Sequence, residues 1–220
     1  MTPSEIANSY DQLAEQWNSD EFPRDNGIEQ HKRGIAFLKE KRRALDIGCG
    51  SSGRIIDLLI REGFDVEGLD ISSRMIELAK QRHPNVTFHH ADICEWEFLR
   101  KYDFISAWDS IWHIPLRDQE LVLKKILHGL TSGGVCIFTT GGLDAPSEKV
   151  DSAMGPQMYY SVLGIPNLLK LIAEAGCICR HLEYDQYPEL HLYVIAQRGR
   201  AATKSRNISR KDAKAAKFGV

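Results

Sequence analysis

Residues Ala44-Leu-Asp-Ile-Gly-Cys-Gly-Ser-Ser-Gly-Arg54 read as a buried strand, a glycine turn and the opening of a helix, and a second acid, Asp70, closes the next apolar run. That pattern suits a nucleoside. Backbone approaches a ligand closely only where side chains are absent, and a carboxylate one strand away offers acceptors to the two hydroxyl donors of a ribose.

Working outward, the chain alternates strand and helix patterns on both sides of this stretch. The spacing predicts strands over 43–47, 65–69, 86–90, 102–108 and 135–140, with helices over 53–62, 72–82 and 118–130 between them. Parallel strands joined by helices call for a doubly wound α/β sheet with right-handed crossovers. A helix over 166–175 follows, and then residues 177–184 and 190–197 alternate like an antiparallel hairpin, so the expected sheet is seven-stranded and mostly parallel. Upstream, Thr2-Pro3-Ser4-Glu5 fits a capping box opening a helix over 3–17, and a second helix is expected over 27–39. Residues 141–156, rich in Gly, Pro, Asp and Ser, read as a long functional loop. The predicted organisation is two N-terminal helices within residues 1–40, a ligand-binding domain over 41–198 and a basic, disordered tail over 199–220.

Composition narrows the function classes. The 220 residues are 43% apolar, and no run reaches the roughly 18–20 apolar residues that span a bilayer. The N-terminus is polar from Thr2 onward and lacks a signal-peptide core. Five cysteines at 49, 94, 136, 177 and 179 form no metal or disulfide pattern, which points to reduced thiols and a cytoplasmic setting. Residues 200–220 carry seven Lys/Arg against Asp212 alone, leaving the body with 21 basic and 29 acidic side chains. An acidic body argues against a nucleic-acid reader, although the basic tail keeps weak RNA tethering open.

Gly48-x-Gly50-x-x-Gly53 by itself is a weak signal that dinucleotide sites share. Asp46, two residues before the glycines, and Ala91-Asp92-Ile93 at the end of the third strand sharpen it, because an acid followed by an aliphatic suits a purine amino group and ring face. With these motifs the chain resembles the class I S-adenosylmethionine-dependent methyltransferases over roughly residues 42–197. Leu45-Asp-Ile-Gly-Cys-Gly50 is similar to the family's first motif, Gly68-Leu-Asp-Ile-Ser72 to its ribose motif and Ala91-Asp-Ile93 to its adenine motif. Leu130-Thr-Ser-Gly-Gly134 resembles its turn into strand five, with Ser132 in place of proline. Asn8-Ser-Tyr10-Asp-x-x-Ala14-x-x-Trp17 resembles its N-terminal lid helix. One departure is Ser51-Ser52, which adds a residue before Gly53.

The resemblance implies S-adenosyl-L-methionine as cofactor, held by Tyr10, Asp46, Gly48, Cys49, Gly50, Gly53, Asp70, Ile71, Met75, Asp92, Ile93 and Trp108. Ligands of open parallel sheets sit beyond the carboxyl ends of the strands, so Trp108-Asp-Ser-Ile-Trp-His-Ile-Pro115 should border the methyl group. His113 is the candidate general base by type and place, with Asp109 second and Trp112 as a pocket wall or core residue. Met154, Met158, Tyr159 and Tyr160 are expected to form a mobile apolar lid over that opening. His89 and His90 point to opposite faces of a strand, and no metal site is expected. The expected activity is methyl transfer to a small-molecule acceptor. A nucleic-acid methyltransferase, a nicotinamide oxidoreductase and a catalytically inactive cofactor-binding regulator are the alternatives.

Overall fold

The computed structural model describes residues 1–19 and 23–200, so the predicted tail beyond residue 200 lies outside the described residues. Seven strands form one sheet: β1 (Arg43–Ile47), β2 (Asp65–Asp70), β3 (Thr87–His90), β4 (Tyr102–Ala107), β5 (Leu130–Gly141), β8 (Cys177–Tyr184) and β9 (His191–Arg198). Their order across the sheet is β3-β2-β1-β4-β5-β9-β8. The first five run parallel, and β9 and β8 close the sheet as the antiparallel hairpin expected from their alternation. Among the described residues six α-helices complete the fold: α1 (Pro3–Asn18), α2 (Ile28–Ile35), α3 (Arg54–Arg61), α4 (Ser73–Arg82), α5 (Leu116–His128) and α6 (Ile165–Glu174).

The period-2 alternation of β1 splits its side chains between two cores. Leu45 and Ile47 face α5 and α6 together with Ile105 and Phe138, while Ala44 faces α2, α3 and α4 with Phe104, Val135 and Tyr193. Leu45 and Phe104 are fully buried, and each such side chain contributes about 1.5–3 kcal/mol through burial. Asp46 and Ser106 lie side by side on the α2 face, polar residues within otherwise apolar strands. No helix among the described residues is long and apolar enough to cross a membrane, and all five cysteines are free.

Three elements differ from expectation. Helix α2 ends at Ile35, because Phe37 and Leu38 donate to the carbonyls of Gly34 and Ile35 in a tightened exit that turns both side chains against the core. Strand β5 begins at Leu130, since that residue already pairs with Tyr102 ahead of a register shift in which β5 carries the extra residues opposite Tyr102–Phe104. The third difference concerns the supposed loop after β5. It contains a separate antiparallel hairpin, β6 (Ser147–Asp151) with β7 (Met158–Val162). Met158 is fully buried and Tyr159 nearly so, so β7 packs against the body while β6 is largely exposed.

Candidate active site

The carboxyl ends of β1, β2 and β4 open into a cleft with about 1030 Å³ of empty space, open solvent at its mouth included, roofed by α1 through Pro3, Ile6, Tyr10 and Trp17. The capping box at Thr2 and Glu5 starts this helix as predicted: Glu5 N–H donates to Thr2 Oγ1 at 3.3 Å and Thr2 N–H to Glu5 Oε2 at 2.6 Å. Asp11 then fastens α1 over the cleft by capping α4. Its carboxylate accepts from the Ser72 hydroxyl at 2.5 Å and from the Arg74 amide at 3.1 Å.

The glycine loop forms the floor. Gly48 has φ +69, and a Cβ there would lie 2.2 Å from the Cβ of Ser110, whose hydroxyl donates to the Ile47 carbonyl at 2.9 Å. Only glycine lets β1 turn this close to the β4 exit. Gly50, at φ +56, differs. A Cβ there would meet nothing within 4 Å, because it would project into the cleft where a ligand belongs. The additional serines are absorbed inward. Ser51 is fully buried and donates to the Ala14 carbonyl of α1 at 3.3 Å, and Ser52 accepts from Arg54 at 3.1 Å.

Asp70 ends β2 beside this loop. One carboxylate oxygen accepts the Gly50 amide at 2.8 Å and the other the Ser72 amide at 2.9 Å, leaving each with a further acceptor position. Burial raises its pKa, against the pull of those amides. Asp92 accepts the Cys94 amide through Oδ1 at 2.8 Å, which leaves Oδ2 for a donor, and Ile93 lines the cleft beside it.

At the β4 end, His113 is buried and surrounded by hydrogen bonds. Nδ1 lies 2.7 Å from the Tyr159 carbonyl, so it carries the proton, and the Nε2 lone pair accepts from the Tyr10 hydroxyl at 2.6 Å and the Trp112 indole at 3.0 Å. Burial pushes the ring down to about 4, so it is neutral at physiological pH. Burial likewise raises Tyr10 well above the usual phenol range.

Asp109 holds a left-handed backbone at φ +53. Its Oδ1 lies 2.9 Å from His191 Nε2, while His191 Nδ1 lies 2.5 Å from Asp185. Both ring nitrogens face carboxylates, so both donate and the ring is an imidazolium. Burial opposes that charge, but the two acids outweigh it and raise the pKa. Arg54 approaches the other Asp109 oxygen at 3.8 Å.

The cleft therefore brings together both predicted catalytic residues and every predicted cofactor residue except one. Gly53 stands off the cleft, where a Cβ would strike His83 and Arg82 at the end of α4. Met154, Tyr159 and Tyr160 also lie outside the wall, Tyr159 reaching it only through its carbonyl on His113. Pro3, Ile6, Arg54, His191 and Ser106 belong to the site or its support without having been singled out from sequence. Of these, Ser106 left a signal: a lone hydroxyl in an apolar strand, as Asp46 is a lone acid. His89 and His90 bind Glu67 and the Ile71 carbonyl at 2.8 and 3.0 Å, and no metal-binding cluster occurs among the described residues.

Residues 44–134, which span the glycine loop, Asp70, Asp92 and the β4 exit, match the methyltransferase-domain family. This stretch of the chain is similar to a methyltransferase domain. Among relatives, the domain is similar to the trans-aconitate 2-methyltransferase of Rhizobium etli, 33% identical over 99 residues covering 44% of this chain and 38% of that protein. It is also similar to the carboxy-S-adenosyl-L-methionine synthase of Campylobacter jejuni, 32% identical over 143 residues covering 63% and 54%. The chain thus spans about four-tenths to half the length of these curated relatives. In fold, the chain resembles an S-adenosylmethionine-dependent methyltransferase of Clostridium acetobutylicum, with TM-score 0.68, 14% identity and 87% and 100% of the two chains covered. It also resembles the 1,6-didemethyltoxoflavin-N1-methyltransferase of Burkholderia thailandensis, solved with bound 1,6-didemethyltoxoflavin and S-adenosylhomocysteine, with TM-score 0.70, 16% identity and coverage of 90% and 91%.

Proposed function

We propose that this chain transfers a methyl group from S-adenosylmethionine to a small acceptor that is uncharged or basic. The observation that carries the reading is Asp70, a buried carboxylate with one acceptor position left on each oxygen at the rim of a glycine-floored cleft. In this reading Asp70 takes the ribose hydroxyls, and Asp92 with Ile93 takes the adenine. Gly48, Cys49 and Gly50 lie under the amino-acid end, and Asp46, Ile71, Met75 and Trp108 complete the wall. When bound, the cofactor would supply an electrophilic methyl group on its sulfonium.

What the protein adds is position and dryness. Holding an acceptor in line with the methyl is worth about 7–11 kcal/mol of barrier, and α1 covers the opening. His113 has committed its Nε2 lone pair to Tyr10 and Trp112, so we assign it to fixing the Tyr10 hydroxyl against the cleft. Proton abstraction by His113 would first require Tyr10 to release that nitrogen. Asp109, held by an imidazolium, serves as a standing negative charge at the cleft wall.

Acceptor class follows from the charges. The wall carries the carboxyl groups of Asp46, Asp70, Asp92 and Asp109, and its one Lys/Arg among the described residues, Arg54, is already engaged by Asp109, Ser52 and the Asn26 carbonyl. A polyanion such as trans-aconitate would lose its hydration there without a countercharge. The five free thiols favour a reducing, cytoplasmic setting.

A thermal-shift panel with S-adenosylmethionine, S-adenosylhomocysteine and NADH tests the cofactor, since a native-state ligand at a hundredfold excess over its Kd adds about 2.7 kcal/mol. Stabilisation by the sulfur cofactors alone is expected, and stabilisation by NADH alone would overturn the reading. An acceptor screen should then return amines, phenols or neutral heterocycles ahead of polycarboxylates.

A further inference from the structure

The Ser51-Ser52 pair, which adds a residue to the glycine motif, is held in the cleft floor by arginines that stand outside it. Ser51 is fully buried and Ser52 is 4% exposed, and both line the cleft. The Ser51 carbonyl accepts from Arg82 Nε at 3.3 Å, and the Ser52 carbonyl accepts from Arg24 Nη1 at 3.1 Å. These guanidinium groups are the only hydrogen-bond partners of the two carbonyls among the described residues. Arg82, at the end of α4, also reaches back to α1, donating through Nη2 to Asn18 Oδ1 at 2.8 Å. Both arginines are exposed, and neither borders the cleft.

A trans peptide points its C=O and its N–H in opposite directions. Drawing the Ser51 and Ser52 carbonyls toward the arginines therefore turns the amides of Ser52 and Gly53 the other way. Neither amide has a hydrogen-bond partner among the described residues, and backbone donors left unpaired in a buried setting are costly. Gly53 is also the N-cap of α3, and no side chain caps that helix. It turns at φ +71 and lies so close to α4 that a Cβ would sit 2.6 Å from Arg82 Cδ. The longer loop thus packs its third glycine against α4, and the two arginines fix the direction of the peptides on either side of Ser52.

We infer that Arg24 and Arg82 are positioning residues for cofactor binding, holding the Ser52 and Gly53 amides toward the carboxylate at the cofactor's amino-acid end. The inference rests on the cofactor assignment above. The wall near the glycine loop is acidic at Asp46, Asp70 and Asp109, and its Arg54 is engaged by Asp109, Ser52 and the Asn26 carbonyl. A ligand carboxylate there finds its donors in backbone amides, which carry partial positive charge without a competing acid partner. Neither arginine touches the cofactor in this scheme, and each acts through one peptide plane.

Calorimetric titration of the full chain with S-adenosylhomocysteine and with 5′-methylthioadenosine, which lacks the amino-acid end, tests the inference. Arg24→Met and Arg82→Met keep an unbranched stem and remove the donors. In each variant S-adenosylhomocysteine should bind about tenfold more weakly, while 5′-methylthioadenosine binds as it does to the wild type. The loss should persist in about 0.5 M salt, which screens a bare charge effect at exposed sites. In the wild-type protein, the Ser52 and Gly53 amide proton resonances should move downfield with S-adenosylhomocysteine and not with 5′-methylthioadenosine, a readout that needs no variant. Undiminished S-adenosylhomocysteine affinity in either variant, an equal loss for both ligands, a loss abolished by salt, or unmoved amide resonances would overturn the inference and leave the cofactor assignment standing. Absence of binding by either ligand to the wild type would instead remove the cofactor assignment itself.

Discussion

Replacing Asp70 with Asn tests the ribose assignment and separates it from the structural work the same carboxylate performs. Each Asp70 oxygen holds one backbone amide, Gly50 at 2.8 Å and Ser72 at 2.9 Å, and has one acceptor position left for a ribose hydroxyl. Asn keeps the shape but removes the charge and turns one oxygen into a donor. One ribose hydrogen bond is lost and the other becomes neutral. With charge-assisted bonds contributing about 1.5–3 kcal/mol each, the combined loss is about 2–4 kcal/mol. At about 1.4 kcal/mol per decade, S-adenosylhomocysteine should bind roughly 30- to 700-fold more weakly by calorimetry. Separately, the new NH₂ group faces either the Gly50 or the Ser72 amide, and an unsatisfied donor costs about 1–3 kcal/mol. In a domain of this size that lowers Tm by about 2–4 °C per kcal/mol, so binding should be measured well below the variant's transition. A lowered Tm with unchanged affinity would refute the reasoning. Asp70 would then only brace the glycine loop and the start of α4.

Gly50→Ala should weaken S-adenosylhomocysteine binding at least tenfold while costing about 1–2 kcal/mol of stability for a left-handed alanine, because the new methyl meets no protein atom within 4 Å; undiminished affinity would move the ligand off this floor. Tyr10→Phe deletes the hydroxyl that donates to His113 at 2.6 Å, so kcat should fall while urea unfolding changes by no more than about 1.5 kcal/mol. Equal turnover would confine Tyr10 to packing. The His191 imidazolium has a folded pKa above its unfolded value of about 6.5, so its contribution is complete below that value and is lost as pH rises through the folded pKa. Thermal scans should therefore show wild-type stability declining on the alkaline side of pH 6.5, with that slope absent in His191→Asn; a flat wild-type profile would mean a neutral ring.

Short-range physics made most of this architecture readable. Strands β1, β4 and β5 are mostly apolar runs between turn residues, and the capping box of α1 sits where its four residues put it. The β6–β7 hairpin gave no comparable signal, because Ser-Glu-Lys-Val-Asp over 147–151 is largely exposed and lacks an apolar run. Cleft residues at strand ends were legible for the same reason as the strands. The supporting residues were not, because they meet through tertiary register. His191 reaches Asp109 across 82 residues only because Gly141 pairs with it between β5 and β9. His31 reaches Ser106 only because α2 crosses that face of the sheet, with Gly34 against Phe104.

The four acids of the cleft show how one fold keeps like charges together and gives each a different capacity. Asp70 is stabilised by two backbone amides and retains two acceptor positions. Asp92 is held by one amide and retains an oxygen. Asp109 is hydrogen-bonded to His191, which a second acid, Asp185, shares. Asp46 lies buried across from Ser106 in the β1–β4 register, and burial pushes its carboxyl up to about 7. Four full negative charges in a buried wall would repel one another, and each of these devices lowers that repulsion before a ligand arrives. The wall therefore keeps hydrogen-bond acceptors for hydroxyl and amino groups at the β2–β3 end and reserves negative charge for the end beside Asp46 and Asp109. A ligand that is polar and neutral at one end and cationic at the other satisfies both, and a polyanion satisfies neither.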